Sequence, residues 1–264
     1  MKLKKTVYYT DPLNDDFSSS NKTFKSKPLP KNFKFYHSSP IYWFFSGFIY
    51  YIIAIPLFWV VGRLVYGFRI RGKRKFRKTK IGRQGFFVYG NHTQIGDAFF
   101  APVWLIPPRR TFVVCSTESV SKDLLRPIEM MVGALPLPSY PEQTKHFLDA
   151  IEKHIKHGNA IMIFPEAHIW PYSTRIRPFP ETSFTYPASL GRPVLATCVT
   201  YEERKILKFL PPRVVMHVSS LYYPDMSKPL GERTKILREQ VYTYMVETSS
   251  SLDNAEYIRY LPKR

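Results

Sequence analysis

The sequence predicts an α/β domain, a mostly parallel mixed sheet flanked by helices, preceded by an N-terminal hydrophobic segment that anchors the chain to a membrane. Three observations predict it. From residue 84 onward, short apolar runs rich in β-branched and aromatic residues alternate with helical stretches. A stretch without a single charge, 41–62, stands between two basic flanks. Two of the strand candidates break at once into polar residues of catalytic type, at 91–97 and 165–168.

Bulk properties set the frame. With 264 residues and 44% hydrophobic content, the chain can build one sizeable domain. A net charge of +19 and a pI near 9.8 turn the surface toward polyanions or anionic lipid head groups. Cys115 and Cys198 both lie in apolar strand-like runs, which suggests buried free thiols in a reducing compartment and neither a disulfide framework nor a zinc signature. The 23 prolines cut the chain into short elements with abrupt joints.

Residues 1–40 form a basic, polar N-terminal arm, with lysines at 2, 4, 5, 22, 25, 27, 31 and 34. With no apolar core of a signal peptide, it reads as a mobile or surface-lying arm. Residues 41–83 form the anchor and its basic run. The 41–62 stretch is long enough for a hydrocarbon core of about 30 Å. Its aromatics cover every face, which disfavours a buried core helix, and Trp43 and Trp59 sit near its ends as interface belts do. Ten bases follow between Arg63 and Arg83 with no acid among them. Beside a hydrophobic segment, each such base contributes about 1 kcal/mol toward an anionic surface. That placement favours lipid over nucleic acid. Because both flanks are basic, charge asymmetry does not orient a span. Pro56, Gly47 and Ser46 suggest a shallow hairpin that enters and leaves by one face, a monotopic anchor, with a single pass as the alternative. The expected location is the membrane, with the catalytic domain on its cytoplasmic face.

Residues 84–264 form the α/β domain. Strand candidates are 86–89, 111–115, 160–164, 193–200 and 213–220. The clearest helix is 142–157, where Phe147, Leu148, Ile151 and Ile155 make an apolar stripe and Gly158 supplies the stop. On it, His154 and His157 read as solvated. A second amphipathic helix is expected over 231–247, and the tail from 248 carries little signal.

The chemistry gathers at two strand ends. His92 lies where the first strand stops at Gly90-Asn91 and a helix begins near Asp97. In open α/β sheets ligands bind at that carboxyl edge. Five helical steps would put His92 and Asp97 roughly 140° apart, so they meet only if the chain turns, as Gly96 permits. From Asp16 to Asp97 the chain has no other acidic residue. An imidazole backed by a carboxylate is the simplest general base. Glu166 follows the 160–164 run directly and points to the same edge; a turn cap is its plainer reading, and His168 is open between a packed ring and a ligand-facing one.

Asn91-His92, four residues and then Asp97, followed downstream by Phe164-Pro165-Glu166, resembles the PlsC-type glycerolipid acyltransferases typified by lysophosphatidic acid acyltransferase. Their N-H-x4-D box, G-x-x-F-x-x-R segment, F-P-E-G-T-R box and later proline-bearing strand run in the same order over roughly residues 85–200. The resemblance implies a membrane-associated O-acyltransferase of phospholipid biosynthesis. It would move a fatty acyl group from an acyl thioester, acyl-CoA or acyl carrier protein, to a hydroxyl of a lysophospholipid-type acceptor, with 1-acylglycerol-3-phosphate leading. His92 would be the general base and Asp97 its partner. Asn91, Glu166, His168, Arg175 and Arg177 would serve substrate binding. No cofactor and no metal are implied, nor a nucleic-acid partner.

This chain also departs from the pattern. Ala167-His168-Ile169 replaces Gly-Thr-Arg, and 133–138 reads Gly-Ala-Leu-Pro-Leu-Pro without the expected arginine. A phosphate monoester wants a base. Arg175 and Arg177 are the nearest replacements, with Arg126 and Lys145 behind them; otherwise the acceptor lacks that phosphate. Two rivals stand beside this reading: a metal-dependent hydrolase using His92, Asp97, Glu166 and His168, and a non-catalytic basic lipid-binding relative.

Overall fold

The computed structural model describes residues 3–17, 27–79, 81–120, 124–250 and 254–263. Lys2, Lys22, Lys25 and Lys80 of the expected basic runs lie outside the described residues. Among the described residues nine strands occur: β1 (Lys5–Tyr9), β2 (Arg69–Arg71), β3 (Phe86–Gly90), β4 (Thr111–Cys115), β5 (Ala134–Pro136), β6 (Ala160–Ile163), β7 (Val194–Glu202), β8 (Arg213–Tyr222) and β9 (Ile258–Pro262). Seven form one sheet in the order β2-β8-β7-β3-β6-β4-β5. Every pairing in it is parallel except β7 with β8. β3 lies in the middle with all five residues buried, as a strand covered on both faces must be.

The mixed, mostly parallel α/β sheet is the expected fold, and all five expected strands lie within two residues of where the pattern puts them. β2 and β5, three residues each, are too short to show an alternation. β1 was hidden for another reason. It pairs in parallel with β9, so its partner lies at the far end of the chain. The N-terminal stretch is therefore not simply a mobile or surface-lying arm: Leu29 and Phe35 are 1% and 3% exposed and belong to the main core.

The 142–157 helix forms over Thr144–Lys156, and Phe147, Ile151 and Ile155 are buried as the stripe requires. Leu148, one step round, is 41% exposed. His154 corrects the expectation of a solvated ring. It follows Ile151 by three positions, on the buried face, and its ring stacks on Phe112 at 3.6 Å. Burial, then the nearby Arg110 and His157, pull its pKa down to about 3. The second helix runs Leu230–Ser250.

The apolar segment is one continuous helix, Pro40–Leu64, and not a hairpin. A π-turn over Ile49–Ala54 precedes Pro56. Such a widened turn absorbs the missing N–H and ring clash that would otherwise break the helix. The helix lies along the domain. Its inward residues are small or tethered: the Ser46 hydroxyl donates to Met131 O, the Thr111 N–H donates to the Tyr50 hydroxyl, and Phe58 stacks on Phe99 at 3.6 Å. A Cβ at Gly62 would stand 2.0 Å from the Trp104 ring, so only glycine allows that approach. Phe44, Phe48, Ile52 and Leu64 point outward, 52–72% exposed.

Candidate active site

Because β3 and β6 are parallel neighbours, the loops after them leave the same edge of the sheet. After β3 the backbone turns and Asp97 comes back under His92, with Gly96 in an ordinary right-handed conformation (φ −66°), so the turn does not depend on glycine there. His92 Nδ1 lies 3.3 Å from Asp97 Oδ2. That oxygen also accepts the N–H groups of Thr93 and Gln94, at 2.6 and 2.7 Å. Asp97 is buried while the imidazole is 15% exposed and stacks on Phe164 at 4.2 Å. With Nδ1 turned to the carboxylate, Nε2 is the ring nitrogen left to meet a substrate. Beneath the loop, Tyr201 donates its hydroxyl hydrogen to Thr93 Oγ1 at 2.6 Å. Burial, then Asp97, hold that phenol well above its ordinary pKa, so it stays a donor.

The loop after β6 is locked. Glu166 is 5% exposed, and its carboxylate accepts the His92 N–H at 2.9 Å and the Arg177 N–H at 2.8 Å. The Arg177 guanidinium pairs with it at 3.3 Å, donates to His168 O, and lies over the Trp170 ring. Burial pulls Arg177 down from its ordinary pKa, and Glu166 opposes this. Ala167 sits in the left-handed region, φ 63°, where the related box has glycine.

Each expected site residue now has a place. His92 and Asp97 are together. Glu166 orders the His92 loop. Arg177, 4% exposed and committed to Glu166, is not available to an acceptor phosphate, which corrects that expectation. Asn91 is corrected too: both ends of its buried amide are spent on the Val199 backbone, at 2.7 and 3.0 Å, tying the loop to β7. Arg175 is exposed. His168 is turned toward Asp16, its Nδ1 3.5 Å from the carboxylate. Arg126 donates to Val120 O at 2.9 Å, and Lys145 is exposed on its helix. Among the described residues no three His, Cys, Asp or Glu side chains gather as metal ligands would, so the four residues of the hydrolase reading do not form a ligand set.

Against the turn between His92 and Asp97 an apolar cavity of about 130 Å³ lies between the 40–64 helix and the loop, lined by Phe58, Gly62, Tyr66, Ile95, Phe99 and Trp104 among others. Ile95 and Gly96, from the turn between His92 and Asp97, line it; His92 itself does not. Sequence reading missed Tyr201 and Thr93, whose pairing spans 108 positions. It also missed the hold of Asp16 on His168.

The site thus sets an imidazole–carboxylate pair on the carboxyl edge of the sheet, with an apolar cavity against the same turn. The chain belongs to the acyltransferase family, whose model matches residues 67–200, just over half of its length. Among solved structures the fold is similar to the 1-acyl-sn-glycerophosphate (LPA) acyltransferase PlsC from Thermotoga maritima. The TM-score is 0.52 and the identity 15%, over 80% of this chain and 94% of that one. At that identity the likeness is one of fold. No curated protein matches the chain.

Proposed function

We propose that this acyltransferase works at a membrane surface and moves a fatty acyl group from an acyl thioester, acyl-CoA or acyl carrier protein, to a hydroxyl of a lysophospholipid-type acceptor. The observation that carries the reading is the His92–Asp97 pair at the sheet edge, with an apolar cavity lined by the turn between the two residues. His92 Nε2 takes the hydroxyl proton as the oxygen attacks the thioester carbonyl. Asp97 stabilises the imidazolium. The tetrahedral intermediate then collapses, the C–S bond breaks, and the imidazolium returns the proton to the departing thiolate. The cavity's apolar lining suits an acyl chain.

Geometry also favours a monotopic anchor over a span. The 40–64 helix touches the domain from Trp43 near its start to Gly62 near its end. A helix held along its whole length cannot cross a bilayer without drawing the domain in with it. It would instead lie in the interface with its aromatic face down.

1-Acylglycerol-3-phosphate is the first acceptor to test, with Arg175 as the base left to meet its phosphate now that Arg177 is committed. The experiment mixes detergent-purified protein with labelled acyl-CoA or acyl carrier protein and a panel of lysophosphatidic acid, monoacylglycerol and other lysolipids. Transfer to lysophosphatidic acid with a Michaelis constant raised by Arg175→Ala supports the phosphate reading. Transfer confined to unphosphorylated lipids would move the acceptor class. No transfer from either donor to any acceptor would defeat the proposal.

A further inference from the structure

The turn between β7 and β8, residues 203–212, serves no step of the chemistry above, yet its composition is unlike that of an ordinary surface hairpin. Ile206, Leu207 and Phe209 are 75%, 50% and 81% exposed within four positions. Surface turns are normally built from small polar residues. Leu207 itself takes the left-handed conformation, φ 59°, that closes the turn, and the Leu210 N–H donates to its carbonyl at 3.0 Å. Exposed Lys205 and Lys208 are interleaved with the apolar side chains.

The base of this hairpin is tied down. Buried Arg204 donates to Pro211 O and to Val65 O, each at 2.7 Å, and the Val214 N–H donates to Tyr66 O at 3.0 Å. These bonds fasten it to the end of the apolar helix, where Leu64 and Val65 are 71% and 59% exposed. Because β7 is parallel to β3, the hairpin leaves the sheet at the same edge as His92. Leu124, 88% exposed, follows β4 at that edge as well. The hairpin carries one acid, Glu203 at its base, against Arg204, Lys205 and Lys208, and the neighbouring Glu202 is held by Arg69 and Arg71, so the surroundings stay basic.

We propose that the 203–212 hairpin is a second membrane contact, inserting Ile206, Leu207 and Phe209 into the interface of an anionic bilayer with Lys205 and Lys208 at head-group level. The inference rests on the membrane-surface reading of the 40–64 helix. Continuity with that helix and the basic charge select lipid over a protein partner. The second contact would hold the His92 edge against the layer that supplies its substrate.

The test uses the full chain on vesicles with and without an anionic phospholipid. An environment-sensitive dye is attached at Phe209→Cys, at Phe48→Cys on the helix, or at Tyr223→Cys, beyond the far end of β8. The parent chain treated identically gives the background from Cys115 and Cys198. A blue shift and loss of iodide quenching at Phe209→Cys and Phe48→Cys, stronger on anionic vesicles and absent at Tyr223→Cys, is the expected result. A shift at Phe48→Cys with none at Phe209→Cys would overturn the hairpin contact and leave the helix anchor standing. No shift at either position would overturn both. Equal shifts at Tyr223→Cys and Phe209→Cys would overturn the inference, since the dye alone would then be entering the lipid.

Discussion

Two loops leave the sheet side by side, after β3 and after β6, and each sets a titratable side chain against a group of complementary chemistry. After β3, His92 meets Asp97 through one nitrogen and keeps the other open, with the ring 15% exposed. After β6, the Glu166–Arg177 pair is buried to within 4% exposure, and both oxygens of the carboxylate are bonded. The first loop can exchange a proton with a visitor. The second cannot without being dismantled, and the bond from the His92 N–H to Glu166 ties it to the first: it fixes the backbone that carries the imidazole. Identical position on the sheet edge thus gives two roles, and solvent access to the last nitrogen or oxygen separates them.

The comparison breaks most sharply at Asp97. Asp97→Asn removes the charge that stabilises the imidazolium, and the account expects turnover to fall about 10³-fold with the melting temperature close to native. Steady-state kinetics and calorimetry on the same preparation check this. Glu166→Ala is expected to behave in the opposite way. It strands a buried guanidinium and two N–H groups, so unfolding in denaturant should show a loss of about 3–5 kcal/mol. Arg177→Ala should cost a similar amount, and the two losses should not add in the double variant.

His154 sharpens the contrast from outside the site. Its folded pKa of about 3 lies below the ordinary 6.5, so the unfolded chain binds a proton that the folded chain refuses. The stability it contributes is whole above pH 6.5 and is lost as pH falls from there toward 3, at up to about 1.4 kcal/mol per pH unit. His154→Phe should flatten the melting-temperature profile between pH 6 and 4; an unchanged slope would count against the buried neutral ring. The smallest effect belongs to Ala167. Ala167→Gly should relieve the left-handed strain beside Glu166 and raise stability by about 1 kcal/mol. Glycine here would also restore the residue of the related box.

How far the sequence reveals this molecule depends on how local each signal is. The five core strands and the His92–Asp97 pair are read within a few consecutive residues, and the family motif covers them. Helix 144–156 shows its buried face by spacing alone, yet His154 escapes because the residue type suggests water and only the packed Phe112 and Arg110 say otherwise. The 40–64 helix inverts that pattern: small or tethered residues, with Tyr50 and Phe58 among them, face the protein, while Phe44, Phe48, Ile52 and Leu64 face outward. Composition therefore points to a membrane, while Pro56 suggests a bend that the π-turn removes. β1 with β9, Tyr201 with Thr93 and Asp16 with His168 are pairings over more than 100 positions. No window on the sequence contains both partners. Arg177 belongs to the same class of failure, for its proximity to the box was visible while its burial against Glu166 was not.

The central claim is that His92 supplies the base for acyl transfer. The most direct measurement follows transfer of a labelled acyl group from its thioester to the accepted lysolipid by the native enzyme and by His92→Ala, with the melting temperatures of both recorded. The account predicts that His92→Ala keeps the native fold and loses transfer to the uncatalysed background. A folded His92→Ala variant that turns over at a rate near native would contradict it.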